Sequence, residues 1–201
     1  MARFSTSRII PLALILIIAA VAIAALVSLA RVVFFSNSTD NSTKQVDTSK
    51  EALLSTDLSR AVRVTVRGSI VADEQFRSYQ IVVTPSSRTL TTYNGYLDTP
   101  IDKIALGNNV PAYEEFVYAL NRANLVKGTE FTGDKNDTRG ICATGQVYQF
   151  DVLQDGKAVK SLWTSTCSAA KGSLDGNAEN ITKLFINQVP GADKLIQKID
   201  L

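Results

Sequence analysis

Val147-Tyr148-Gln149-Phe150-Asp151-Val152-Leu153-Gln154-Asp155-Gly156-Lys157-Ala158-Val159-Lys160-Ser161-Leu162-Trp163 contains two alternating runs separated by Asp155-Gly156. Asp-Gly in that setting favours a two-residue turn, because both positions tolerate the positive φ that a tight hairpin requires. A turn of that length sets the register. It predicts Val152 opposite Val159, Phe150 opposite Ser161 and Tyr148 opposite Trp163 on one face, with Asp151 opposite Lys160 on the other. The first set is mostly apolar and needs a cover, whereas the second is an ion pair suited to solvent.

Continued outward, this register puts Cys142 opposite Ala169 and Cys167 opposite Thr144. The two cysteines then lie near each other at the open end of the hairpin. A disulfide between them is expected, with Gly140 and Gly145 easing the bulge or splay that brings their Cα atoms within about 7 Å. They lack Cys-x-x-Cys spacing, and two thiols without histidine make a poor zinc site.

Upstream, Val62, Val64 and Val66 alternate with Arg63, Thr65 and Arg67, the period of a half-buried strand. Phe76 to Thr84 and Arg88 to Tyr96 read as further strands around a Pro85-Ser86-Ser87 turn, and Leu97 to Asn109 takes no assignment. Pro111 to Val126 changes period: Tyr113, Phe116, Val117, Leu120 and Ala123 share a helical face, with Asn109 as N-cap and Gly128 as the stop. Asn177 to Gln188 reads as a second amphipathic helix, ended by Pro190-Gly191, and Ala192 to Ile199 as a third. The expected fold class is α+β, an antiparallel sheet with helices packed on one face, and the order is consistent with a ββα-type internal duplication.

Ile9 to Ala30 carries no charge, and 22 residues at about 1.5 Å each span roughly 33 Å, enough for a hydrocarbon core of about 30 Å. An uncleaved single-pass anchor in contact with membrane lipid through residues 9–30 is expected. Ser28-Leu29-Ala30 offers the small residues of a signal-peptidase site, so cleavage after Ala30 is the competing reading; the apolar run exceeds a signal-peptide core and resumes at Val32-Val33-Phe34-Phe35. Ser36 to Ser49 has one apolar residue, Val46, and reads as a polar tether, with Thr48 and Glu51 forming a capping-box pattern before Ala52-Leu53-Leu54. The expected organisation is therefore a short tail and anchor over 1–35, a tether with a short helix over 36–58, and an α+β domain over 59–201. The short leading tail and the pair of cysteines place the N-terminus in the cytoplasm and the domain outside.

Three of the 21 Lys and Arg (Arg3, Arg8 and Arg31) precede Phe35 and no acidic residue does, leaving 18 basic against 19 acidic side chains in the remainder. That balance argues against a nucleic-acid partner. No histidine occurs in the chain, which removes the commonest general base and metal ligand. Ser168-Ala169-Ala170-Lys171 has Ser-x-x-Lys spacing without the partner motifs of that enzyme class. Gly133 to Gly140 resembles a calcium loop, but Arg139 stands where the loop glycine belongs and Gly145 replaces the bidentate glutamate. No catalytic, cofactor-binding or metal-binding residue is assigned, and no cofactor.

Arg60, Arg63 and Arg67 are the candidate partner-binding residues, as a basic strip on the wet side of the first strand, beside the simpler reading of a solvated face guarded against edge pairing. Tyr93, Tyr96 and Trp163 form a candidate stacking set, although strand aromatics more often serve core or cross-strand packing. Asn37, Asn41, Asn136 and Asn180 each begin an Asn-x-Ser/Thr sequon.

Arg139-Gly140-Ile141-Cys142-Ala143-Thr144-Gly145, then Val147-Tyr148 and Phe150, then Leu162-Trp163-Thr164-Ser165-Thr166-Cys167-Ser168, resembles a pattern in uncharacterised membrane-anchored extracytoplasmic proteins of Saccharibacteria. The resemblance implies a bacterial cell-envelope setting and transfers no site residue. The expected function is a non-enzymatic cell-surface binding or structural protein with an envelope or surface protein as partner. An extracytoplasmic subunit of a membrane complex is the alternative, and an envelope hydrolase the third.

Overall fold

Strand alternation sends Val62, Val64 and Val66 to one side of β1 (Arg60–Arg67), where all three are buried. In the computed structural model, which describes residues 48–201, β1 lies inside a six-stranded antiparallel sheet. Its other strands are β2 (Arg77–Val83), β3 (Ser87–Asn94), β4 (Thr99–Gly107), β5 (Val147–Gln154) and β6 (Lys157–Ser165), in the spatial order β4-β3-β2-β1-β5-β6. The helices are α1 (Ser49–Leu54), α2 (Val110–Arg122), α3 (Ala178–Ile186) and α4 (Ala192–Lys198). Asp47–Leu201 forms a compact unit. The expected anchor over residues 9–30 and the tether up to residue 47 lie outside the described residues, among which no helix is long and apolar enough to cross a membrane.

The α+β expectation holds. Leu53 of α1, Phe116, Val117 and Leu120 of α2, and Ile181 and Phe185 of α3 share one core with Val62, Val64, Ile81, Leu90, Phe150 and Leu162 from the sheet. Helices α1 to α4 thus serve one sheet face, with Ala192 of α4 in the same core, whereas on the other face Trp163 of β6 is covered by Phe131 and the β1–β2 part is free of α-helix. Asn109 caps α2 by accepting from the Ala112 amide at 3.0 Å, and Asn177 caps α3 through the Asn180 amide at 2.8 Å. Thr48 makes no side-chain cap at α1.

Four expectations need correction. The hairpin has its Asp-Gly turn, with Asp155 at φ 50 and Gly156 at φ 75, but Val159 bulges out after two pairs. Val152 then faces Lys160, Asp151 faces Ser161, Phe150 faces Leu162 and Gln149 faces Trp163. The extra residue brings Leu162 to the core face beside Phe150 and Val152, all buried, where the unbulged register would have set a serine against Phe150.

The unassigned stretch before Asn109 holds β4. It is an edge strand whose Ile101, Lys103 and Ala105 are exposed, so its apolar pattern is faint, and Pro100 and Lys103 discourage further pairing. Helix α2 stops earlier than expected, because Asn124 takes the left-handed position at φ 64 and the Leu125 amide closes on the Leu120 carbonyl at 3.0 Å. Among the described residues four strands precede α2 and two follow it, so the halves do not repeat as equal ββα units.

Candidate functional site

The odd-numbered residues of β1 decide what the open sheet face presents. Arg63, Thr65 and Arg67 from β1 line a trough of about 230 Å³ with Ser78 and Gln80 from β2, Tyr93 from β3, Gln149 from β5, and Asp98 from the β3–β4 turn. These residues share the face because β1 pairs with both β2 and β5: Arg63 lies opposite Val82 and Asp151, and Thr65 opposite Gln80 and Gln149.

Asp151 anchors the trough although it is fully buried. Its carboxylate accepts from Arg63 Nε at 2.8 Å, from Gln149 Nε2 at 3.1 Å and from Ser161 Oγ at 2.6 Å. Gln80 Nε2 donates to Thr65 Oγ1 at 3.2 Å. A buried carboxylate held by three donors fixes the side chains that hold it, so Arg63 and Gln149 are presented in set positions.

The pair is asymmetric, because Arg63 keeps 27% of its side-chain exposure and Asp151 none. Arg63→Ala strands a buried carboxylate and is expected to cost about 2 kcal/mol, below the figure for a fully buried pair because water already reaches the guanidinium. Asp151→Ala leaves a cation that turns to solvent and is expected to cost about half as much. Equilibrium urea unfolding of both variants tests the order; a costlier Asp151→Ala would remove the burial argument.

Of the expected basic strip, Arg63 and Arg67 lie on the open face and Arg60 does not. Its even position puts it with Val62 on the helix-covered side, where its charge acts on Tyr113. Burial pushes the Tyr113 phenol up to about 12, and Arg60 pulls the other way.

The candidate stacking set is dispersed. Tyr93 lines the trough; Tyr96 stacks on Phe76 with ring centroids 4.1 Å apart; Trp163 is buried and meets Phe131 edge-on at 6.0 Å. Trp163 faces Gln149 rather than Tyr148, a consequence of the bulge.

Cys142 and Cys167 form the expected disulfide, with Cα atoms 5.5 Å apart. Beside it the Gln146 and Thr166 backbones pair, and Gln146 N also donates to Thr166 Oγ1 at 2.9 Å. Gly145 is required there, since a Cβ would stand 2.1 Å from Thr166 Oγ1. Ser168 and Lys171 are both exposed with no hydrogen bond between them, and the Asp137 carboxylate of the calcium-like loop is taken by Arg139. Those contacts from Arg139 hold Asp137 down at about 2.

A second, apolar cavity of about 290 Å³ adjoins the disulfide, with Ile70, Phe76, Tyr96, Ile141, Cys142 and Val147 in its walls. Arg67 lines both this cavity and the trough. Sequence reasoning missed the cavity because its walls come from four separate segments. It missed Asp151 as an anchor although a lone acid inside the Phe150-Asp151-Val152-Leu153 run was a signal. No protein-family model matches this chain, and no characterised protein matches its sequence.

Proposed function

We propose that this chain is a non-enzymatic binding module, anchored in the membrane by residues 9–30, whose open sheet face contacts an envelope or surface protein. The observation that carries the reading is the trough, in which Arg63 and Gln149 are held by a buried acid on the sheet face opposite α1 to α4. Fixed polar groups on a strand scaffold favour binding, because little side-chain freedom is lost on contact. The disulfide supports an oxidising compartment for the domain.

A photo-crosslinking residue at Gln149, in the full chain on intact cells, is expected to capture an envelope protein that the same residue at exposed Glu115 of α2 does not. Equal capture at both positions, or none at Gln149, would overturn the reading. A membrane-impermeant maleimide separates place from partner: labelling only after reduction puts the joined cysteines outside, and labelling only after lysis without reductant puts the domain in the cytoplasm. Recovery of a stoichiometric integral-membrane partner would favour a subunit of a membrane complex instead.

A further inference from the structure

We propose that the apolar cavity beside the disulfide binds a small organic carboxylate, with an alkyl or aryl body inside the cavity and its carboxylate on Arg67. The site shares Arg67 with the trough, but its apolar walls lie outside the trough, so it stands whether or not the open face has a protein partner.

Arg67 is what the other cavity-lining groups lack. Its Nε is buried and donates to nothing among the described residues, and its terminal nitrogen comes only within 3.8 Å of Asp98. The neighbouring arginines are occupied: Arg63 by Asp151 and Arg139 by Asp137. A buried donor without an acceptor is costly, and a guanidinium fork matches the two oxygens of a carboxylate. Arg67 lies where apolar wall meets polar trough, so an anion on it would place an attached apolar group in the cavity.

The walls are held in place before any ligand arrives. Phe76 and Tyr96 stack, the Tyr96 hydroxyl donates to the Val71 carbonyl at 2.7 Å, and the Tyr96 amide donates to Asp73 Oδ1 at 2.8 Å. Cys142 is fixed by its disulfide, and the Ile70 amide donates to the Ala143 carbonyl at 2.9 Å, joining the two sides. At about 290 Å³ the cavity is on the scale of a phenyl ring with a short chain. It lies at the small end of ligand pockets, which fits a compact acid better than a long acyl chain.

The test is a titration of the full chain in lipid nanodiscs with 3-phenylpropionate, 3-phenylpropionamide and acetate, followed by ligand-observed NMR. The expected result is saturable binding of 3-phenylpropionate, at least tenfold tighter than either control. Arg67→Gln is expected to lower its affinity at least tenfold and leave the amide unchanged, whereas Arg139→Gln stays within twofold. Ile70→Trp, which fills the cavity mouth, is expected to abolish binding with Arg67 intact.

No saturable binding, equal binding of acid and amide, or an unaffected Arg67→Gln would overturn the proposal. Tighter binding of a blocked peptide ending in a free phenylalanine carboxylate would overturn the small-molecule assignment. If Arg67→Gln fails to fold, as read from its thermal transition, the acid-against-amide comparison in the unaltered protein decides.

Discussion

Phe185→Ala lowers the stability of the folded part by about 3 to 5 kcal/mol, the range for removing a buried ring from a packed core. Phe185 is fully buried and joins three elements: its ring meets Phe116 of α2 edge-on at 5.2 Å and lies tilted against Phe150 of β5 at 6.4 Å. The edge-on contact adds to the area the ring removes from water, since the positive ring edge faces the negative face of its neighbour. Phe185→Leu keeps most of the volume and is expected to cost less than half as much. Urea unfolding of the two variants is the measurement. A cost below about 1.5 kcal/mol for the alanine variant would mean that α3 repacks on the sheet, and that Phe185 does not tie helix layer to strand layer.

The paired change Cys142→Ala with Cys167→Ala is expected to cost about 3 to 4 kcal/mol, because the bond closes a loop of 25 residues and its loss frees the unfolded chain. The loop contains the hairpin itself, so β5 and β6 remain paired in the variant. What loosens is the 140–146 segment, which forms one wall of the apolar cavity. Two readings should therefore change. Thermal unfolding shifts down, and 3-phenylpropionate binding weakens at temperatures where the variant is still folded. An unchanged transition temperature would show that the Gln146–Thr166 backbone pairing suffices to hold the segment.

Both effects bear on how a chain of this size supports a binding face. The helices bury one side of the sheet, and a single carboxylate within the sheet organises the other. Asp151 is the clearest case, because it is charged, fully buried and satisfied only by groups from three different strands: Arg63 of β1, Gln149 of β5 and Ser161 of β6. A serine opposite it, rather than the lysine of an unbulged hairpin, gives the carboxylate a short neutral donor and leaves Lys160 free to reach the Gly128 carbonyl.

Several features were legible in the chain as written. The period of Val62, Val64 and Val66, the Asp155-Gly156 turn, the cap Asn109, and the apolar faces of α2 and α3 each depend on residues within one turn or one strand of each other. Local sterics and hydrogen bonding suffice for these. The disulfide was legible as well, because a hairpin converts sequence distance into spatial proximity.

Other features depend on partners far away along the chain. The bulge at Val159 follows from which side chains the core accepts, so it depends on Phe150 and Leu162 meeting helices nearby in space and remote in sequence. Strand β4 shows little apolar pattern because an edge strand buries little, and it is recognisable only through its pairing with β3. Arg60 and Arg63 look alike in sequence, yet a three-residue step in a strand reverses the face, and which face is covered depends on where the helices land. Short-range physics set the elements; the packing of α1 to α4 on one sheet face set which arginines meet water, which acid is buried and where a cavity remains.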